Sequence, residues 1–159
     1  MMHNKLLRTL LLLALAVTVM LTASGCNLVM QWLSAPVKVD YSADAKERIE
    51  RDIGIEPPSE NYFVVGYNCP GRESVSIYIF EFPYENSVNN PGQYVRDLLG
   101  LPDTFTKSSY AIDKYNGYAT SLADLGFTFT HYFDKLGYFS QVQYCINGDT
   151  LQVALICAR

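Results

Sequence analysis

The side chains of this sequence that could carry out acid–base or covalent chemistry are few. His131 is the only histidine beyond the first 26 residues, and the predicted strands place it opposite Ser140. A histidine beside a hydroxyl or a thiol could act as a general base for a nucleophile. Such a base also needs an orienting group and a cleft, and no residue pattern indicates either. A half-buried histidine bonded to Ser140 or to a tyrosine hydroxyl is therefore the simpler interpretation.

Metal ions and cofactors have no recognisable ligand set in the sequence. There is no Cys-x-x-Cys pair, no second histidine beyond residue 26 and no Asp-x-Asp loop, so zinc and calcium lack their usual ligand spacing. No glycine-rich phosphate loop is present either. We expect neither a metal site nor a bound cofactor.

The 12 tyrosines point to recognition rather than catalysis. All of them except Tyr41 fall in or near predicted strands and turns. Tyrosine provides a large contact area at low entropy cost, which suits binding of a protein or a glycan. The alternative is that strands favour tyrosine for packing alone.

Two predicted helices would help to position these side chains. Ser42 is a favourable N-cap for the first, which runs over 42–53 and ends before Gly54. Its buried stripe consists of Ala45, Ile49 and Ile53. The second is predicted over 92–99, with a buried edge of Val95, Leu98 and Leu99.

A hairpin is predicted between the helices, with strands over 62–68 and 74–82. A two-residue Pro-Gly turn would set Val64 opposite Ile77. Both faces of the second strand are apolar, which indicates a strand covered on both sides. One face carries Val75, Ile77 and Ile79, and the other carries Tyr78, Phe80 and Phe82.

A meander of antiparallel strands is predicted from Lys107 onward, with a type I′ turn at Asn116-Gly117. The strand over 127–134 alternates, with Phe127, Phe129, His131 and Phe133 on one face. A four-residue loop would then set Phe129 opposite Val142.

The last turn of the meander leaves its register open. A turn at Asn147-Gly148 sets Tyr144 opposite Leu151, whereas a turn at Gly148-Asp149 shifts the pairing by two and keeps the faces. In both cases the face shared by Leu151, Val153, Leu155 and Cys157 is the core face, and Cys145 lies on the other.

These elements predict an α+β fold. We expect an antiparallel sheet of about six strands, a hairpin plus a C-terminal meander, with one or two helices on one face. About 120 residues, 42–159, suffice for one modest core and are too few for two.

The first 26 residues have the composition of a secretory signal. A short basic stretch precedes an almost wholly apolar segment over 9–21. Small residues occupy 23–25, and Cys26 follows. The basic stretch contains His3, Lys5 and Arg8.

This segment resembles the lipobox of bacterial lipoproteins that are processed by the type II signal peptidase. The resemblance implies cleavage between Gly25 and Cys26 and attachment of a lipid to the Cys26 thiol, with acyl chains holding the protein at the membrane. Ala23 stands where the family prefers leucine, and alanine is tolerated in that pattern. The resemblance thus divides the chain into a signal peptide over 1–25, a lipid-anchored tether over 26–41 and the domain over 42–159.

An uncleaved signal anchor is the alternative. No Lys, Arg, Asp or Glu occurs over 9–37, a run long enough to cross a bilayer at about 20 residues. Both interpretations place the domain on the extracytoplasmic side of the cell membrane.

The charge balance narrows the classes of partner. Without Lys5 and Arg8, the 12 basic residues fall to 10 against 16 acidic ones, a formal charge of −6. This charge argues against nucleic acid as a partner and against binding of anionic lipid through a basic patch.

The cysteine count limits the disulfides. Lipidation of Cys26 leaves three thiols, which can form at most one disulfide. By face parity, Cys69 is expected to be one partner in any such disulfide.

We therefore expect a membrane-anchored, extracytoplasmic lipoprotein of the cell envelope with a non-catalytic binding domain, whose ligand is a protein or a glycan. The competing hypothesis is an envelope enzyme that uses His131 or a thiol, Cys69 or Cys145. A purely structural envelope protein is a third, and it would lack an exposed aromatic patch.

Overall fold

The computed structural model describes residues 35–69, 75–85, 89–111, 122–136 and 140–158, all within one compact unit over 35–159. The lipobox and the expected hairpin at Asn116-Gly117 lie outside the described residues. The elements are β1 Val37–Val39, α1 Ala43–Ile53, a 3₁₀ turn Glu60–Tyr62, β2 Phe63–Cys69, β3 Val75–Pro83, α2 Pro91–Leu99, β4 Phe105–Ser108, β5 His131–Lys135, β6 Gln141–Asn147 and β7 Thr150–Ala158.

The strands form one antiparallel sheet in the order β1-β2-β3-β7-β6-β5-β4. Two meanders, β1 to β3 and β4 to β7, are joined where β3 pairs with β7. The predicted α+β class is confirmed, with seven strands in the described part rather than about six. β1 lies inside the range 26–41 that was expected to be a tether, because Val37–Val39 pairs with β2.

Each face of the sheet has its own apolar core. Both helices pack on one face, and their buried residues join Tyr78, Phe80 and Phe82 of β3. Ile77 and Ile79 point to the opposite face, where the segment 122–129 supplies the cover. β3 is buried on both sides as predicted, and both helices lie on one face.

Helix α1 begins and ends where its sequence indicates. The side chain of Ser42 accepts a hydrogen bond from the amide of Ala45, and Gly54 adopts a left-handed conformation at φ 79°. A left-handed residue is costly for any side chain with a Cβ, so glycine is the natural stop. The predicted buried stripe of Ala45, Ile49 and Ile53 is confirmed.

Two predicted registers are wrong because the connections are longer than expected. Val65, not Val64, shares a face with β3 residues of the second core, and it pairs with Ile79. Cys69 pairs with Val75, which leaves five residues between the strands instead of two. An odd shift of three exchanges the two faces of β2.

The β5–β6 register is shifted by four, so Phe133 rather than Phe129 pairs with Val142. An even shift preserves the faces, and Phe133 remains on the helix side. Phe127 and Phe129 precede the strand and pack on the opposite side, which contradicts the single predicted face. The β6–β7 pairing follows a turn at Gly148-Asp149, the second of the two alternatives.

Candidate ligand-binding groove

A groove of about 810 Å³ opens on the helix side of the sheet. One side is the chain that leaves α1, over 54–59, together with Tyr62; the other is the outer surface of α2. Its lining residues are Gly54, Ile55, Glu56, Pro57, Pro58, Ser59, Tyr62, Phe82, Pro83, Tyr94, Asp97, Leu98, Leu99 and Gly100.

Aromatic and aliphatic side chains remain accessible in this groove. Tyr62 is 41% exposed and Leu98 is 40% exposed, whereas Phe82 and Leu99 beneath them are buried. The rings of Tyr62 and Phe82 lie 5.1 Å apart and tilted by 32°. An accessible tyrosine and leucine in one concavity are suited to contact with a ligand.

Helix α2 carries two parallel stripes of side chains, one facing the core and one facing the groove. Val95 and Leu99 are one turn apart and enter the core, while Tyr94 and Leu98 form the neighbouring stripe that faces the groove. Leu98 was expected to be buried, and that prediction is wrong. Tyr94 is held by an edge-on contact with Tyr84, at 5.5 Å between ring centroids.

The ends of α2 fix this wall. Asn90 caps the helix through a bond from the amide of Gln93 to its side-chain oxygen, at 3.2 Å. Pro91 occupies the first turn, and Gly100 ends the helix in a left-handed conformation at φ 58°. The local sequence therefore fixes where α2 begins and ends.

The opposite wall is held by contacts outside the groove. The Tyr41 hydroxyl donates to the carbonyl oxygen of Pro58 at 2.7 Å. Burial, with smaller contributions from nearby acidic groups, raises the pKa of Tyr41 to about 12, so this hydroxyl stays a donor at neutral pH. Lys46 binds Glu60 at 2.7 Å, and Ile55 is buried in the core. A wall restrained in this way loses little entropy on binding.

The charge of the groove is acidic. Glu56 and Asp97 line it, and the described lining contains no Lys, Arg, His, Asn or Gln. Asp97 accepts a bond from Gln93 one turn earlier on α2, at 2.8 Å. A cation from outside would therefore find two exposed carboxylates here.

His131 does not lie where a general base was expected. It is exposed, pairs with Tyr144 rather than with Ser140, and stacks on the Tyr144 ring at 4.8 Å. Its Nδ1 is 2.8 Å from the Thr130 hydroxyl. The predicted half-buried position and the predicted Ser140 partner are both wrong, because β5 is shifted by four residues along β6.

The candidate thiols are buried and protonated. Burial raises the pKa of Cys69 to about 11 and also raises the pKa of Cys145. Cys69, Cys145 and Cys157 are present as thiols rather than as a disulfide. The predicted parity is confirmed, since Cys145 lies opposite to the face of Cys157.

No histidine–thiol pair is brought together in the described part of the chain. His131 stacks on Tyr144, whose ring belongs to the helix-side core, and Cys145 points to the other face. Cys145 instead donates to Gln152 at 3.6 Å. A protonated thiol without a base is a poor nucleophile.

The described residues contain neither a candidate metal site nor a helix that could span a membrane. No group of three or more His, Cys, Asp or Glu side chains could hold a metal ion there. No helix in the same ranges is both long enough and apolar enough to cross a bilayer.

The architecture thus defines an open, seven-stranded α+β domain with an aromatic and acidic groove on its helix side. Comparison with family models, with curated proteins and with solved structures finds no match to this chain. The groove was missed at the level of sequence. The signal for it was the second stripe, Tyr94 and Leu98, next to the core stripe of α2.

Proposed function

We propose that this chain is a membrane-anchored, extracytoplasmic lipoprotein whose α+β domain binds a ligand in the groove and catalyses no reaction. The observation that carries the binding role is the exposure of Tyr62 and Leu98 on opposite walls of one concavity. Such side chains are costly to leave in water and gain free energy when a partner covers them.

The restrained walls support binding by a largely preformed surface. Tyr41 and Lys46 fix one wall, and the caps of α2 fix the other. Preformed pockets of this kind bind with little change of backbone conformation.

The chemistry of the domain favours binding over catalysis. The two thiols considered as nucleophiles have raised pKa values, and the histidine considered as a base is paired with Thr130. The groove itself offers carboxylates and hydroxyls, with no thiol, histidine or metal cluster in its described lining.

The anchoring half of the proposal rests on residues 1–26. The apolar segment, the small residues before the cysteine and Cys26 itself support lipidation, as their resemblance to a lipobox implies.

Site-specific cross-linking in the cells that make the protein tests the binding role. A photoreactive amino acid is placed at Leu98 in one variant and at Leu136 in a second. Leu136 is the matched control because it is also an exposed leucine, at 67%, and lies outside the groove. We expect a discrete cross-linked product from position 98 and none from position 136.

A second substitution in the cross-linking variant tests whether the product forms in the groove. Tyr62→Ala should abolish the product formed from position 98, whereas Tyr110→Ala, at an exposed tyrosine outside the groove, should leave it unchanged. Equal products from positions 98 and 136, or insensitivity to Tyr62→Ala, would refute binding in the groove.

A further inference from the structure

We infer that the groove binds an extended, proline-containing and cationic peptide segment of a partner protein. This inference rests on the proposed binding function and specifies the class of ligand. Three properties of the groove lead to it: the sign of its charge, its supply of hydrogen-bond donors, and its size.

The charge of the groove calls for a cation from the ligand. Glu56 and Asp97 are exposed, and the basic residues near the walls are bonded to other groups. Lys135, beside Gly54, donates to the carbonyl oxygen of Asp52 at 2.8 Å. Arg96, next to Asp97 in sequence, donates to the carbonyl oxygen of Phe105 at 2.8 Å and lies 5.7 Å from the Phe133 ring centroid. Lys46, near the other wall, binds Glu60. An arginine or lysine of a partner could therefore pair with either groove carboxylate.

The donors of the groove match a polyproline II backbone better than a β-strand. Three of its lining residues, Pro57, Pro58 and Pro83, have no backbone N–H to offer. Addition of a strand needs a row of such donors, whereas a polyproline II segment docks on aromatic surfaces and needs few. Tyr62 and Tyr94 provide aromatic rings with hydroxyl donors at their tips.

The size of the groove, about 810 Å³, suits a short segment of a partner. An extended segment of a few residues fits the same space and can present successive side chains to both walls.

A neutral glycan is the competing ligand class, and the lining favours the peptide. Carboxylates and hydroxyls could bond to sugar hydroxyls, but the described lining offers no side-chain amide or indole to share that work. A neutral sugar could compensate the two negative charges only through hydroxyl hydrogen bonds, whereas a cation also neutralises them.

Fluorescence anisotropy with defined peptides tests the inference on the protein purified from the membranes of the cells that make it and inserted into nanodiscs. The probe is a labelled octapeptide built from proline, leucine and arginine. One control peptide replaces arginine by glutamate, and another replaces proline by glycine. We expect the probe to bind and both control peptides to bind at least about tenfold more weakly, because each lacks one recognised feature.

Substitutions in the protein assign the binding to the groove. Asp97→Asn and Glu56→Gln should each weaken probe binding about two- to fivefold, as expected for exposed ion pairs. Asparagine keeps the acceptor for Gln93, so Asp97→Asn should not disturb α2. Glu50→Gln, at an exposed acid on the outer face of α1, is the matched control and should change nothing. Tyr62→Ala should weaken binding about tenfold or more.

Each opposite result overturns a defined part of the inference. If the glutamate peptide binds as tightly as the probe, the groove does not require a cation. If the glycine peptide binds as tightly as the probe, the groove does not require a polyproline II conformation. Binding that is insensitive to Tyr62→Ala refutes the groove as the peptide site. If a neutral hexose oligosaccharide binds instead and cross-linking from Leu98 persists in cells, the peptide is wrong and the binding function stands. If cross-linking from Leu98 also fails, both are wrong.

Discussion

The hydroxyl of Tyr41 shows how one residue can prepare a binding wall that it does not line. Its ring stacks on Phe63 at 5.1 Å and meets Phe80 edge-on at 5.3 Å, while its hydroxyl donates to Pro58. Within Tyr41, the ring therefore contributes packing, whereas the hydroxyl makes the bond to the wall of the groove. A change that removes only the oxygen separates the two roles.

Tyr41→Phe should lower the free energy of unfolding by about 0.5–1.5 kcal/mol, the usual net value of one hydrogen bond. The pKa of Tyr41 is raised from 10.0 to about 12 in the folded protein, so folding favours the protonated phenol. Its contribution is present below pH 10 and is lost as pH rises from 10 to 12. Urea unfolding at pH 8 and pH 11 measures this.

The comparison between the two proteins isolates Tyr41 from other tyrosines. Burial also raises the pKa values of Tyr78 and Tyr144, and these groups titrate equally in both proteins. The wild-type protein should lose more stability than Tyr41→Phe between the two pH values. Identical losses would show that the Tyr41 hydroxyl is not held as described.

Slow alkylation is expected at Cys69 and Cys145. The thiolate is the reactive form, and a thiol with a pKa of about 11 is ionised about 100-fold less at pH 8 than one with a pKa of 9.0. Iodoacetamide labelling, mapped by mass spectrometry, should be at least that much slower in the native protein than in urea at Cys69. Fast native labelling of either cysteine would revive the thiol-enzyme hypothesis.

At the scale of elements, helix α1 is tied to a strand on the other side of the sheet centre. The Lys135 side chain, at the end of β5, donates to the carbonyl oxygen of Asp52 at 2.8 Å. A cation at a helix C-terminus compensates the partial negative charge of its unpaired carbonyls. This contact joins residues that are 83 positions apart, and it lies beside the Gly54 end of the groove.

Lys135→Met should reduce the free energy of unfolding by about 0.5–2 kcal/mol, because a charge-assisted bond at the C-terminus of α1 is lost while the aliphatic stem is kept. Urea denaturation measures the change. Lys38→Met, at an exposed lysine on β1, provides the control and should change stability by less than about 0.5 kcal/mol. Equal effects of the two substitutions would show that the helix contact contributes nothing.

The elements also show what sequence can and cannot determine. The bounds of α1 followed from Ser42, Gly54 and the stripe between them, because caps and periodicity are local properties. The faces of β3 followed from alternation. The β2–β3 register did not, since it depends on the length of the connection after Cys69.

The groove escaped prediction for a related reason. Leu98 was interpreted as a core residue of α2. Which of two adjacent stripes on a helix faces the core is decided by the angle through which the helix is rotated about its own axis when it packs on the sheet. That angle is a tertiary property, so Leu98 and Leu99 could not be told apart locally, although one is 40% exposed and the other 4%.

At the scale of the whole molecule, the sheet unites two meanders into one domain. β3 and β7 are its central pair, and each is covered by apolar residues on both sides. The helices, and with them the groove, lie on one face only. If the chain is anchored only at Cys26, the domain itself remains in solution beside the membrane surface, where it can contact its partners.

Cys26→Ser provides the decisive test of that anchor. The wild-type protein should incorporate labelled palmitate and remain in the membrane after a wash in high salt, because acyl chains are held by apolar burial and not by charge. Cys26→Ser should incorporate no label and should keep the mass of residues 1–25, since the lipobox resemblance implies that Cys26 is both the lipidated residue and part of the cleavage site. Cys69→Ala, which removes a cysteine from the domain, controls for the loss of a thiol and should be labelled like the wild type.

An uncleaved signal anchor predicts a different pattern, in which wild type and Cys26→Ser are both unlabelled and have the full mass. A Cys26→Ser protein that is processed and released like the parent would exclude the lipobox, while leaving the groove and its ligand to be judged by their own experiments.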